Sequence, residues 1–434
     1  MSAATNFATL PGAWEAVRRL ADRSLTAEEL LRACLDRIAL REPEVHAWAH
    51  LDAEGALARA RALDAGPVTG PLHGLPIGIK DIIDAFDMPT GHGSPIWAGH
   101  RPFVDSAVVA LCRGLGGVIV GKTVTTEFAT FTPPPTRNPL DLAHTPGGSS
   151  SGSAAAIADG MVPLAFGSQT AGSLIRPGAY CGAAAYKPSY QTLPVAGVKT
   201  QAQSLDTIGT YGRTLLDAAL GVAVLARRDE LHPSRLQAFR PRIGIIDGRH
   251  WGGIDADMQR ALDAAAAALS RAGAEVRTLD LPDPFPSLRD VHTTILLYEM
   301  GQSMADELRR FADGITPRLR GLIRKGAELP GADYAAAIVT AQRARAMFPA
   351  VLDGCDVALA PAAQGEAPTA DSTGESNQNA PWTLLHGPAA GVNAGRGSHG
   401  LPLGLQVVGP IGSDARTLCA ALWIEDILRQ SSPR

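Results

Sequence analysis

The chain is poor in several features that would each point to a particular class of protein. Its five cysteines are an odd number and no two have a CxxC spacing, so neither a disulfide framework nor a zinc site is predicted. Basic and acidic residues nearly balance, with a net charge of −4, and no basic run favours nucleic acid as a partner. No stretch approaches about 18 unbroken apolar residues, which argues against a membrane span.

What the chain does have is length and apolar content. Its 434 residues are 45% hydrophobic and 19% charged, which is enough for a large core and argues against disorder. The N-terminal residues lack the basic segment and apolar segment of a secretory signal. Because thiols that stay reduced are typical of the cytosol, we expect a cytoplasmic protein.

Secondary-structure patterns predict one α/β domain of all 434 residues. Residues 1–69 predict a helical N-terminal arm, with a capping box at Thr26–Glu29. Short apolar strands alternate with Ala-rich helices over 70–220, and 221–434 adds a helical insertion. A Gly/Asn/Ser/Pro-rich stretch at 364–400 predicts a long pocket loop. We expect a mixed central β-sheet with helices on both faces.

Two short motifs invite interpretations that their context does not favour. Gly116–Thr123 matches the phosphate-loop pattern GxxxxGK[ST], but its middle, Val-Ile-Val, is itself strand-like. Gly148–Gly152 matches GxSxG around Ser150, yet the residues before it form a loop rather than the strand that a nucleophile elbow requires. That interpretation also needs a histidine, for which His386 and His399 are available but not distinguished.

Serine and lysine supply the chemistry that the sequence makes most plausible. Pro146–Tyr180 holds two Gly-Ser sites, at Ser149 and Ser173, and Lys80 follows the apolar run Leu75–Ile79. A serine hydroxyl attacks a carbonyl once a base removes its proton. Burial among apolar groups lowers the pKa of a lysine and lets it act as that base. Each motif alone also fits a structural role.

Together, however, these motifs closely resemble the amidase signature family. The segments GLPIGIKD, GKTVTTEFA, PGGSSSGSAAAIADG, GSQTAGSLIRPGAYCG and YKPS follow one another in the family's order over residues 70–220. The later GLPLGLQVVGP is similar to the family's C-terminal strand. The resemblance implies the amidase signature fold and a Ser-cisSer-Lys triad, with no metal and no cofactor.

The resemblance assigns a role to each residue of that triad. Ser173 is the implied nucleophile, Ser149 the bridging serine after a cis peptide, and Lys80 the general base. The implied oxyanion hole consists of the backbone N–H groups of Thr170, Ala171 and Gly172.

Residues around the triad are expected to shape the substrate pocket. Three positions depart from the common family pattern: Gln169 replaces an aspartate, Ala171 a glycine and Val124 an asparagine. Arg176 is expected either to bind backbone carbonyls or to pair with a substrate carboxylate. The candidate substrate contacts are Gln169, Arg176, Phe128, Phe131 and Trp382, together with Trp97 and Leu385.

These observations predict an amidase that cleaves small, neutral or aryl amides, with carbamates and esters as further substrates. The alternative is the glutaminase subunit of a tRNA-dependent amidotransferase, which resembles the same family. A catalytically silent scaffold is a third hypothesis, against which the intact Lys80, Ser149 and Ser173 argue. The expected partner is a small-molecule substrate, without nucleic acid or membrane, and a homodimer remains open.

Overall fold

A single eleven-stranded sheet forms the centre of the molecule, which a computed structural model describes over residues 10–431. Its strands are β1 (Trp48–Leu51), β2 (Pro76–Lys80), β3 (Val118–Thr123), β4 (Leu164–Gln169), β5 (Ala184–Lys187), β6 (Thr207–Gly212), β7 (Ile243–Ile245), β8 (Val276–Thr278), β9 (Val357–Pro361), β10 (Ala389–Arg396) and β11 (Pro402–Val408). Their order in the sheet is β1-β3-β2-β4-β6-β5-β10-β11-β9-β7-β8.

Helices cover both faces of this sheet, as the sequence predicts. They are α1 (Ala13–Ala21), α2 (Ala27–Val45), α3 (Ala53–Ala65), α4 (Ala107–Gly114), α5 (Ser151–Ala158), α6 (Ile175–Cys181), α7 (Leu215–Ala226), α8 (Ala256–Arg271), α9 (Leu288–Ser303), α10 (Ala305–Phe311), α11 (Pro317–Glu328), α12 (Gly331–Val351), α13 (Ala380–Leu384) and α14 (Asp414–Ser431). None of the helices between residues 10 and 431 is both long and apolar enough to cross a membrane.

Strand direction explains why the motifs converge at one edge of the sheet. Strand β2 runs parallel to both β3 and β4, so these strands end at the same edge. Helix α5 leads directly into β4 and packs against it, so the start of α5 lies near the end of β4. Lys80 ends β2, Ser149 precedes α5 and Ser173 follows β4. The α/β/α arrangement therefore brings together residues that are far apart in sequence.

Two elements differ from the sequence prediction. The predicted helical arm contains β1, which pairs antiparallel with β3 at the edge of the sheet. The predicted loop at 364–400 contains helix α13 and the whole of β10, which pairs with β5 and β11. Both elements are stabilised by distant segments of the chain, and local sequence patterns do not report such contacts.

Other local predictions are confirmed. The Thr26 side chain accepts from the Glu29 N–H, and the Glu29 carboxylate accepts from the Thr26 N–H, which completes the capping box. The middle of the GxxxxGK[ST] motif is part of strand β3, so this segment is not an open phosphate loop. Ser150 is fully buried and its hydroxyl bonds the Ser168 backbone, which excludes it as an exposed elbow serine.

Candidate active site

Lys80 lies fully buried at the end of β2, where two serine hydroxyls hold its amine. The Lys80 Nζ is 2.6 Å from Ser149 Oγ and 2.8 Å from Ser168 Oγ. Burial holds the pKa of this amine well below its usual value, and the charge of Asp206 opposes that shift only in part. The environment of Lys80 therefore favours the neutral amine that a base requires.

A second buried lysine, Lys122, has a carboxylate partner and so differs from Lys80. Lys122 Nζ donates to Asp81 Oδ1 at 3.0 Å and to Thr90 Oγ1 at 2.6 Å. Asp81 follows Lys80 directly in sequence, yet its carboxylate pairs with Lys122 on the neighbouring strand. Lys80 forms no ion pair with any residue between 10 and 431. The carboxylate that follows Lys80 in sequence is thus paired with Lys122, and the Lys80 amine contacts the two serine hydroxyls instead.

The two hydroxyl contacts fit a neutral amine. A neutral amine carries one lone pair and two N–H bonds, whereas an ammonium carries only donors. Lys80 can therefore accept the Ser149 proton while it donates to Ser168. The serine at position 168 was not predicted from the sequence. The available signal was its place next to the end of β4, which runs parallel to β2 and ends beside it.

The peptide before Ser149 is held on several sides. The Gly148–Ser149 bond is cis, as the resemblance implies. Arg176 Nη2 donates to the Gly148 carbonyl at 2.7 Å, and the Thr126 N–H donates to the Ser149 carbonyl at 3.2 Å. A side chain at Gly148 would approach the methyl groups of Thr126 and Thr373 to 3.0 Å. A larger residue at position 148 would thus force these two threonine side chains to shift by a few tenths of an ångström.

Ser173 follows β4 and lies beside the same turn. Its carbonyl accepts from the Ser150 N–H at 3.2 Å, which joins the two serine-bearing segments. Ser173 is slightly exposed to solvent, at 8% of the residue's surface. The Ser173 hydroxyl forms no hydrogen bond within the described part of the chain, neither to Ser149 nor to another group. The hydroxyl is therefore available to a substrate.

The 170–172 loop, comprising Thr170, Ala171 and Gly172, precedes this serine. Thr170 Oγ1 donates to Asp206 Oδ1 at 2.6 Å, and burial raises the pKa of Asp206 to about 6. A Cβ atom on Gly172 would lie only 2.5 Å from Asn379 Oδ1, so a larger residue here would force Asn379 or the loop to shift.

Gln169 and Arg176 lie beside the site but have partners within the protein. Gln169 Oε1 accepts from the N–H groups of Leu174 and Ile175 at 3.0 Å each, and its Nε2 donates to Thr383 Oγ1 at 2.9 Å. The Gln169 amide thus binds the start of α6 and does not form part of an exposed surface. Arg176 is buried and holds the Gly148 carbonyl through Nη2, whereas its Nε and Nη1 have no partner among the described residues.

The predicted aromatic contacts fall into two groups. Trp382 is buried in the core, with its ring centroid 5.1 Å from that of Trp251 and 5.8 Å from that of Phe348. Its neighbour Leu385 is also buried. Phe128, Phe131 and Trp97 belong to a separate group. Phe128 is buried at a left-handed φ of 46°, with Lys199 Nζ 5.7 Å from its ring centroid.

Phe131 and Trp97 are the partly exposed members of that second group. The Arg318 guanidinium lies 5.0 Å from the Phe131 ring centroid. Trp97 contacts His92 and His100 edge to face. The two histidines of the elbow interpretation are elsewhere: His386 contacts Arg345 and the Ser204 carbonyl, and His399 contacts Glu366.

Comparison with known proteins gives one consistent result. A family model described as Amidase matches residues 29–418, a range that includes Lys80, Ser149 and Ser173. A glutamyl-tRNA(Gln) amidotransferase subunit from Acidothermus cellulolyticus is 33% identical over 482 aligned residues, which cover 97% of this chain and 95% of that relative.

Two solved structures agree in fold with this chain. A structure described as an amidase has a TM-score of 0.87 and 29% identity, and the match covers 96% of this chain and 99% of that one. The peptide amidase of Stenotrophomonas maltophilia has a TM-score of 0.82 and 27% identity, with 98% of each chain covered.

Proposed function

The chain belongs to the amidase family and is a hydrolase of carbon–nitrogen bonds, and on this premise we propose that it cleaves small, uncharged amides through Ser173. The proposal rests chiefly on one observation. A fully buried lysine, which has no ion pair within residues 10–431, contacts the hydroxyl of Ser149, next to the cis peptide. That contact supports a Ser173–Ser149–Lys80 triad.

In the first half of the proposed reaction, an amide is exchanged for an ester. Ser173 Oγ attacks the substrate carbonyl while its proton passes to Ser149 and the Ser149 proton passes to Lys80 Nζ. The C–N bond then breaks, and the proton returns through Ser149 to the leaving nitrogen. The products of this half are the free amine and an acyl-Ser173 ester.

In the second half, water replaces the amine. Its oxygen attacks the ester carbonyl, its proton passes along the same relay, and Ser173 leaves as its hydroxyl. The N–H groups of the 170–172 loop stabilise the oxyanion in both halves. Loss of one such donor typically slows catalysis by about 10²–10³-fold.

The proposed substrate class follows from the side chains around the site. Arg176 is buried against Gly148, and Lys199 is paired with Glu307 at 2.6 Å, so neither offers an exposed, unpaired charge. We propose that Phe131 and Trp97, which are partly exposed aromatic side chains, contact the aryl group of an aryl amide substrate. Carbamates and esters fit the same acyl transfer because their carbonyls form the same kind of tetrahedral intermediate.

A second candidate function is glutamine hydrolysis within a tRNA-dependent amidotransferase. It is favoured by the relatives named as glutamyl-tRNA(Gln) amidotransferase subunits, at 31–33% identity over 91% or more of this chain in several cases. In that function the chain acts as a glutaminase together with partner subunits. The neutral amides proposed above then serve poorly, and ammonia release from glutamine depends on the partners.

One experiment separates the two functions. The purified chain is incubated with a panel of neutral amides, anilides, carbamates, esters, an amide that bears a free carboxylate, and glutamine, and the released amine or ammonia is measured. Ser173→Ala is the matched control. We expect Ser173-dependent release from neutral amides or anilides by the chain alone. Activity on glutamine alone, gained only with partner subunits added, would instead establish the second function.

A further inference from the structure

Two side chains from distant segments hold the carbonyl groups of the 170–172 loop. His292, on α9, places Nε2 2.8 Å from the Thr170 carbonyl oxygen. Thr383, on α13, donates its hydroxyl to the Ala171 carbonyl at 2.6 Å. Both side chains are buried, and both lie more than 100 residues beyond the loop in sequence.

The geometry of a trans peptide links these carbonyls to the loop's donors. A peptide unit is planar, and in the trans form its C=O and N–H point in opposite directions. The cis peptides within residues 10–431 are Gly148–Ser149 and Asp283–Pro284, so the loop peptides are trans. The bond from His292 therefore aims the Ala171 N–H away from α9. The bond from Thr383 likewise aims the Gly172 N–H away from α13.

Hydrogen-bond partners of these two N–H groups are absent from the part of the chain that the structure describes. Neither the Ala171 N–H nor the Gly172 N–H donates a hydrogen bond to any residue between 10 and 431. A buried N–H without an acceptor destabilises the folded state, so most such groups in proteins meet a partner. The adjoining Ser173 is the point at which the loop meets solvent. A substrate oxygen bound at this serine supplies the missing acceptor.

We propose that His292 and Thr383 are positioning residues of the oxyanion hole, which fix the directions of the Ala171 and Gly172 N–H groups. The inference rests on the proposed amide hydrolysis. It adds to that reaction two residues from outside the motif-bearing segment 70–220. Neither residue contacts the substrate, and each acts through the peptide unit whose carbonyl it binds.

The surroundings of His292 and of Thr383 make each side chain the donor in its bond to the loop carbonyl. Burial lowers the pKa of His292 to about 4, so at neutral pH the ring is uncharged and binds the Thr170 carbonyl through an Nε2–H. The Thr383 hydroxyl accepts from Gln169 Nε2, which leaves its single proton for the Ala171 carbonyl. The only other acceptor near that hydroxyl within the described residues is the Asn379 carbonyl at 3.3 Å, which is the longer contact.

The hydrogen bonds from His292 and Thr383 also strengthen the loop N–H donors whose directions they fix. A hydrogen bond accepted by a carbonyl polarises its peptide unit, and cooperative strengthening is about 10–30% per bond. A small gain in N–H donor strength matters most when the substrate oxygen carries charge. The effect therefore falls on the transition state rather than on substrate binding, and it predicts a change in kcat with little change in KM.

The test compares replacements that keep or remove the hydroxyl at position 383. Thr383→Val removes the donor and Thr383→Ser keeps it. Turnover is measured with para-nitroacetanilide, and affinity is measured for a trifluoromethyl ketone of the same shape, which forms a tetrahedral oxyanion with Ser173. For Thr383→Val we expect kcat and ketone affinity to fall together by about 10-fold, a fraction of the loss from removing a whole donor. KM should stay within about twofold, and Thr383→Ser should resemble the wild type.

A second pair of variants covers the case in which Thr383→Val does not fold. His292→Gln offers an amide N–H near the position of Nε2, whereas His292→Leu offers none. Melting temperatures establish that each variant is folded. The proposal is overturned if the folded Val or Leu variant keeps wild-type kcat and ketone affinity, or if the Ser and Gln variants lose as much as their counterparts. Failure of the proposed function has a different signature, because the wild type then releases no nitroaniline and both proposals fall.

Discussion

Gly172→Ala offers a sharp test of how tightly the 170–172 loop is placed. A Cβ atom at this position would lie 2.5 Å from Asn379 Oδ1 and 3.0 Å from Asn379 Cγ, both on a fully buried side chain. Ordinary contact begins near 3.4 Å, so the loop and Asn379 must separate by nearly 1 Å. Gly172 does not have a positive φ, so the substitution costs little in backbone strain.

The displacement falls on the group that is proposed to bind the oxyanion. A misplacement of about 1 Å can cost about 10²-fold in rate, and we expect kcat of Gly172→Ala to fall by up to about 100-fold. Thermal unfolding should change much less, because the loop lies at the edge of the core. The assay is steady-state hydrolysis of the best neutral amide, with melting temperature as the measure of folding.

A compensating variant identifies the cause of the loss. Asn379 occupies the position before α13 and its side chain does not cap the helix, so Asn379→Gly removes the obstructing atoms together with the Nδ2–H bond to the Ala362 carbonyl. The double variant Gly172→Ala/Asn379→Gly should recover most of the activity of Asn379→Gly alone. Wild-type kcat in Gly172→Ala, or no recovery in the double variant when Asn379→Gly itself is active, refutes the steric reasoning.

Three further predictions concern the amine of Lys80. Lys80→Met should abolish turnover and raise the melting temperature at pH 7. Because the unfolded chain binds the lysine proton more tightly than the folded chain, this gain in melting temperature should shrink as pH rises towards 10.5. Melting temperatures measured across that pH range check the prediction. Ser168→Ala leaves a Lys80 N–H without its acceptor and should lower kcat by about 10-fold, whereas Ser168→Thr keeps the hydroxyl and most of the rate in the same assay. Asp206→Asn removes a charge that raises the pKa of Lys80, so the acid limb of the pH profile of kcat/KM should move to lower pH; a limb that stays in place contradicts that coupling.

The sequence allowed a good prediction of the elements that carry the motifs. The apolar run before Lys80 is strand β2, and the Val-Ile-Val segment is part of β3. These segments are buried on both sides, and such strands read as continuous apolar runs. The pairing of Lys80 with Ser149 could be expected only from the resemblance, because no local pattern reports a contact across 69 residues of sequence.

The elements that were not predicted depend on contacts with distant residues. Helix α13 has only five residues, too few to be stable alone, and Thr383 fastens it to the Ala171 carbonyl. Strand β1 has four residues and pairs with one neighbour, β3. Proximity in sequence also does not report the partners of Gln169 within the protein. This residue lies near Ser173, but as the last residue of β4 its side chain is buried and bonds Thr383 and the start of α6.

The nucleophile is tested most directly by covalent labelling. The chain is treated with a fluorophosphonate, digested, and analysed by mass spectrometry to locate the phosphonyl group. We predict a single modified residue, Ser173, with no modification in Ser173→Ala and a much slower reaction in Lys80→Ala. A label on Ser149 or Ser150, or no label on a preparation that hydrolyses amides, would contradict the proposed triad.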